Sequence, residues 1–239
     1  MNENESKHRE IADEMLPIQP DFQIKQVKCY NIDCMAFMKT IPDNFYELAI
    51  VDPPYGIGII GQFKNSNKDG TKSMFKLTKG IIEKEWDSNI PEKEYFDELF
   101  RISKHQIIWG GNYFLDYLHN TKCMIVWDKM NGTNNMADCE LAWTSFNSAV
   151  RKFKMHHFSY GYEKKIHLTQ KPKLLYQWLL TNYAKDGDKI FDSHGGSFSS
   201  ACACLDMRYE IDICEIDKEY FTNAVERLKN NVQDYFEFA

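Results

Sequence analysis

Glu47-Leu48-Ala49-Ile50-Val51-Asp52-Pro53-Pro54-Tyr55 is the stretch that decides the fold. The apolar run has no polar alternation, so it reads as a strand buried on both faces, and the two prolines halt it at its carboxyl end. Working outward, the pattern predicts strands at Gln26–Tyr30, Gln106–Trp109, Met124–Trp127, Glu140–Phe146, Val150–Phe153, Lys189–Phe191 and Tyr209–Cys214. Between them it predicts helices at Cys34–Ile41, Glu92–Ser103, Tyr113–Leu118, Leu174–Ala184, Phe198–Leu205 and Lys218–Asn230. Alternating strands and helices imply an α/β domain, a mostly parallel twisted sheet with helices on both faces. Residues 1–20 read as a polar lead-in, 21–239 as one domain, and 56–86 as a mobile basic loop.

The composition agrees. At 239 residues, 43% hydrophobic and 27% charged, the chain suits one ordinary globular domain and excludes disorder, collagen and coiled coil. No apolar stretch is long enough for a membrane span, and the first residues carry no secretory pattern, so a cytoplasmic protein is expected. Seven cysteines, without a CxxC pair, read as free thiols in a reducing compartment, and no metal site is expected.

Chemistry concentrates in two places. Ligands of open α/β sheets bind beyond the carboxyl ends of strands, where Asp52-Pro53-Pro54-Tyr55 falls. A carboxylate, carbonyls freed by prolines that carry no N–H, and a flat ring suit a planar ligand bearing an amino group. The plainer reading of the same residues is a Pro-Pro strand terminator. The second place, 140 positions later, is Asp192-Ser193-His194-Gly195-Gly196-Ser197, a turn from strand to helix. Such a turn lets a ligand approach the backbone, and the helix N-terminus favours an anionic group. Glu215, ending the next strand, lies where a ribose diol is gripped in nucleoside-binding folds. Glycines in such turns also serve packing alone, and no GxGxxG is present, which lowers a nicotinamide or flavin reading.

Taken together these segments resemble the amino-methylating DNA methyltransferases that use S-adenosylmethionine. The family's DPPY tetrapeptide is matched in full at residues 52–55. Its HPTQKP motif appears as His167-Leu168-Thr169-Gln170-Lys171-Pro172, and its DPFxGSGT loop, degraded, as residues 192–199. The strand end, commonly GxExDxxY, is met by residues 212–220. The order, catalytic half first, is similar to the permuted β class. Phe198 stands where the family's loop has a glycine, His194 where it has an aromatic, and Leu168 where it has a proline. A bulky Phe198 either narrows the cofactor pocket or begins the core of the following helix.

The resemblance implies a Rossmann-like methyltransferase fold and the transfer of a methyl group to the N6 amine of adenine in DNA. Methylation of N4-cytosine or of RNA, and a non-catalytic nucleic-acid-binding subunit, are the alternatives. It further implies that Asp52 and the Pro53 carbonyl accept the two N–H groups of the target amine, with Pro54 completing the motif and Tyr55 stacking on the extruded base. Thr169 and Lys171 would hold the methionine carboxylate, and Asp192, Gly195, Gly196 and Ser197 the methionine part. Glu215 would take the ribose hydroxyls, and Asp33 would lie near the adenine.

The net charge of −6 opposes general adhesion to nucleic acid, but its distribution is uneven. Six lysines between Lys64 and Lys84, and seven basic residues between Arg151 and Lys173, form basic stretches. The second mixes bases with aromatics and makes residues 146–166 a candidate target-recognition segment; a basic strand with one core-facing side reads equally from the same residues. With so little room for recognition, a short site, weak specificity or a homodimer sharing DNA contacts is expected. Trp109-Gly110-Gly111-Asn112-Tyr113 reads as a pocket wall or as a plain strand-to-helix turn.

Overall fold

The structure, a computed structural model, describes residues 17–58, 87–132, 137–156, 165–167 and 169–237. Most of the basic loop at 56–86, the lead-in up to residue 16, Leu168 and the centre of the 146–166 segment lie outside the described residues.

Among the described residues, nine strands form one sheet in the order β1-β2-β9-β8-β3-β4-β6-β5-β7. They are β1 (Phe22–Ile24), β2 (Val27–Tyr30), β3 (Tyr46–Val51), β4 (Ser103–Trp109), β5 (Met124–Asp128), β6 (Cys139–Thr144), β7 (Arg151–Lys154), β8 (Lys189–Asp192) and β9 (Glu210–Cys214). The helices are α1 (Cys34–Met38), α2 (Lys93–Ile102), α3 (Lys173–Tyr183), α4 (Ser199–Met207) and α5 (Lys218–Glu237). β3 is central and parallel to both β4 and β8, and all six of its residues are buried. That is why its sequence shows no alternation. Leu48, Ile50, Ile107 and Trp109 face Leu175, Leu179 and Phe221 of α3 and α5. Ala49, Val51 and Ile108 share the opposite core with Phe37 of α1 and Phe96 and Leu99 of α2.

Three local differences from the sequence reading have physical reasons. β1 escapes pattern analysis because it is three residues long, folded back on β2 through Lys25 at φ 51. Residues 113–118 do not form a helix. Gly110, at φ 70, starts a single 3-10 turn over Gly111–Tyr113 instead. β6 is antiparallel to both β4 and β5, so that end of the sheet is mixed.

Phe198 is fully buried, with its ring edge-on to Phe221 at 5.8 Å. It is therefore core, the second of the two readings. Its backbone sits at φ 58, a left-handed conformation that costs a side-chain-bearing residue free energy. A glycine fits this position without strain. Phe198→Ala is expected to destabilise the fold by roughly 3–5 kcal/mol, the usual cost of emptying a phenylalanine site, readable by urea denaturation.

Candidate active site

β3 runs on to β4 on one side, whereas β8 runs on to β9 on the other, so the connections diverge between β3 and β8. This is the topological switch point at which open sheets bind ligands. Leu48 and Ala49 pair with Ile190 and Phe191, so the carboxyl ends of the two motif strands lie side by side. One cleft of about 1190 Å³ opens there, and both motif segments line it. Its volume exceeds the roughly 300–1,000 Å³ of ordinary small-molecule pockets, leaving room for a second ring system.

Asp52, Pro53, Pro54 and Tyr55 line one side. Thr169 and Lys171 come from the segment before α3, Gly195, Gly196 and Ser197 from the β8–α4 turn, and Glu215 from the end of β9. Two sequence candidates stand apart from the lining. Asp33 caps α1, accepting the Ala36 N–H at 2.9 Å. Asp192 is buried behind the turn, accepting the Ser200 hydroxyl at 2.5 Å and the His194 N–H at 3.1 Å. Burial pushes its carboxyl up to about 7. Tyr95 of α2 braces the same turn through Ser193, at 2.7 Å, and Ser193 in turn contacts His194 Nδ1 at 2.8 Å. Burial drives His194 and His167 down to about 4, so both rings are neutral at pH 7.

Asp52 is held on both oxygens. The Tyr55 hydroxyl donates to Oδ1 at 2.6 Å and the Lys171 ammonium to Oδ2 at 2.5 Å. Lys171 also donates to the Tyr55 oxygen at 3.1 Å and lies 3.1 Å from Glu140 Oε2, while Lys129 meets Glu140 Oε1 at 2.6 Å. Burial works against the charge on Lys171, but Asp52 and Glu140 outweigh it and hold the group above the ordinary lysine range. Burial raises Asp52, and Lys171 offsets this only in part. In Glu140 the lysines prevail over burial and lower it. The Lys171 ammonium is therefore committed to carboxylates of the protein.

The Tyr55 ring has neighbours of its own. Tyr113 stacks on it at 5.0 Å between centroids and 16° between planes, and Phe114 meets it edge-on at 6.2 Å. Gly110 packs so close that an added Cβ would come within 2.2 Å of the ring. The Trp109–Tyr113 segment is thus a wall of the pocket.

Several further site residues carry little sequence signal. Asp87 Oδ1 accepts the N–H groups of Tyr55 at 2.8 Å and Gly56 at 3.0 Å, clamping the turn after the prolines. Asp87→Ala is expected to let that turn drift and lower turnover on the order of 10- to 100-fold, with unchanged cofactor affinity by calorimetry. Gln170, by contrast, stands in the motif before α3: its Oε1 accepts the Ile166 N–H, whereas its Nε2 is buried in the cleft wall with no hydrogen-bond partner among the described residues. Glu140 and Lys129 stand in no motif, and only the folded sheet places them beside Asp52.

The cleft suits a nucleoside joined to an amino acid. Glu215 Oε2 and Oε1 accept the N–H groups of Gly196 and Asp217, both at 2.8 Å, which fixes the carboxylate at the cleft edge. Ile216 beside it is 68% exposed, an apolar surface on which a base can lie. The unmatched Gln170 donor and the N-terminus of α4 suit a carboxylate.

Known proteins agree with this geometry. Residues 134–226 match the DNA methylase family. The Type II methyltransferase M2.MboI of Moraxella bovis is 23% identical over 89% of this chain and 94% of its own length. The PvuII DNA methyltransferase, described as cytosine-N4-specific, superposes at TM-score 0.59 with 10% identity, covering 90% of this chain and 94% of that one. The M1.HpyAVI–SAM complex superposes at 0.54 with 17% identity, covering 84% and 99%. The sheet is that of the Rossmann-like methyltransferases, and in motif order, family domain and fold the chain resembles the amino-methylating DNA methyltransferases.

Proposed function

We propose that the protein transfers a methyl group from S-adenosylmethionine to the N6 amine of adenine in DNA. The observation that carries this reading is the sharing of one cleft by Asp52-Pro53-Pro54-Tyr55 and Glu215 at the switch point of the sheet. Glu215 would hold the ribose hydroxyls, Ile216 would flank the adenine, and Gln170 with the Gly195–Ser197 turn would receive the methionine end. S-adenosylmethionine supplies an electrophilic methyl on a positively charged sulfur.

The chain's own part is to make an amine nucleophilic. An exocyclic amine conjugated to its ring is a poor nucleophile. Asp52 and the Pro53 carbonyl, accepting its two N–H groups, draw the nitrogen towards a tetrahedral shape with a free lone pair. Positioning and electrostatics carry the rate of such a displacement. Asp52 also takes the proton that the nitrogen sheds once methylated, and its raised pKa suits it to accept one. The base must leave the duplex to reach Asp52, and stacking on the Tyr55–Tyr113 pair offsets part of that cost.

Basic residues beside the cleft support DNA as the polymer. Arg151, Lys152 and Lys154 are exposed on the edge strand β7, and Lys154 pairs in register with Asp128, next to Lys129 of the cleft. Such side chains suit phosphate contacts, which give affinity and steep salt dependence without reading sequence. Methylation of N4-cytosine is the second reading, favoured by the PvuII superposition. Asp rather than Ser at the head of the tetrapeptide favours adenine. Incubation with labelled S-adenosylmethionine and DNA, followed by digestion to nucleosides, decides between them. Label in N6-methyl-2′-deoxyadenosine supports the proposal, label in N4-methyl-2′-deoxycytidine supports the second reading, and no label overturns both.

A further inference from the structure

The Lys171 ammonium lies between two carboxylates that are not equivalent. Towards Asp52 Oδ2 it makes an aligned hydrogen bond at 2.5 Å; towards Glu140 Oε2 it is 3.1 Å away, and that oxygen is buried without an aligned hydrogen bond. Glu140 comes from β6 and is pinned at its other oxygen by Lys129, so its seat for the ammonium is fixed in space. Asp52, by contrast, has both oxygens occupied, one by Lys171 and one by Tyr55. An incoming amine therefore shares whichever oxygen it approaches with a protein donor, the Lys171 ammonium or the Tyr55 hydroxyl.

We propose that Glu140 is a positioning residue for Asp52: it provides the second seat of the Lys171 ammonium and, by drawing that charge towards itself, releases one Asp52 oxygen for an N–H of the target amine. This rests on the methyltransferase reading of the site. A shift from one seat to the other moves a buried positive charge by a short step between existing partners, so no charge is left uncompensated. In the seated arrangement Lys171 stays near enough to keep Asp52 ionised without blocking it. The groups facing Asp52 are Tyr55 on its own turn, Lys171 before α3, Glu140 on β6, Tyr95 on α2 and Asp192 on β8, with Lys129 one step behind Glu140.

Glu140→Gln tests this. Without the second seat, Lys171 binds Asp52 alone and the negative charge that raised Asp52 is gone. Turnover is expected to fall about 10- to 100-fold with the KM for DNA within about 3-fold, while the acid limb of the pH–rate profile moves to lower pH. Titration of the ¹³C-labelled Asp52 carboxyl by NMR reads the same change in resting protein, without turnover, as a downward shift of at least roughly half a pH unit. Lys129→Met strips Glu140 of its competing cation, and here the Asp52 titration is expected to move up instead. Opposite shifts in two variants do not follow from a loss of structure. If Glu140→Gln does not fold, the Lys129→Met titration decides alone. An Asp52 titration unmoved in the variants that fold overturns the proposal. The expected titration shifts in the variants, beside a wild-type protein that methylates no DNA, would instead overturn the functional reading and leave the seat intact.

Discussion

Asp52→Ala is expected to lower methyl transfer by about 1,000-fold or more while leaving S-adenosylmethionine affinity within a few fold. In the proposed mechanism the carboxylate is the acceptor that makes the amine nucleophilic and the group that receives its proton, and no neighbour among the described residues replaces it. Glu140 is turned towards the lysines and Asp192 is buried behind the turn, bonded to Ser200. The substitution also leaves the buried Lys171 ammonium with Glu140 alone, and breaking a buried pair costs about 3–5 kcal/mol. Asp52→Asn keeps the shape but not the charge, so it isolates the loss of charge from the loss of packing. Both variants are expected to be inactive, and thermal denaturation beside the methylation assay shows whether each is folded. Transfer within about 10-fold of wild type by either variant contradicts the assigned role.

Glu215→Ala is expected to weaken S-adenosylmethionine binding about 100-fold, the equivalent of roughly 2.7 kcal/mol, measured calorimetrically. Two losses combine. In the proposed binding mode the ribose hydroxyls lose a charged acceptor, worth roughly 1.5–3 kcal/mol. The N–H groups of Gly196 and Asp217 lose the carboxylate that holds the β8–α4 turn in register with the end of β9. Turnover at saturating cofactor is expected to be much less affected, because Glu215 does not touch the amine. Unchanged affinity would show that the nucleoside lies elsewhere in the cleft.

The central strand β3 was legible in the sequence because burial on both faces leaves an unbroken apolar run, Leu48–Val51; in β9 the run is interrupted by the buried Asp212. Two short local features were not legible. Phe22–Ile24 is too short to show a period, and the turn after Trp109 depends on the left-handed Gly110 and on a Tyr55 ring that reaches it from another part of the chain.

The same division holds in the site. The tetrapeptide at 52–55, the turn at 192–197 and Glu215 were readable because each places a particular chemistry at a strand end, and a strand end follows from local pattern. The sequence by itself therefore determined the α/β alternation, the strand-end motifs and the kind of ligand each could meet. Only the tertiary structure decided that β3 lies beside β8, which joins residues 140 positions apart across one cleft, and that Lys171 belongs to Asp52 and Glu140 rather than standing free for a ligand. The reason is range. Backbone pattern is local, whereas a buried ammonium takes whichever carboxylates the packed sheet brings within about 3 Å, because it cannot remain uncompensated there.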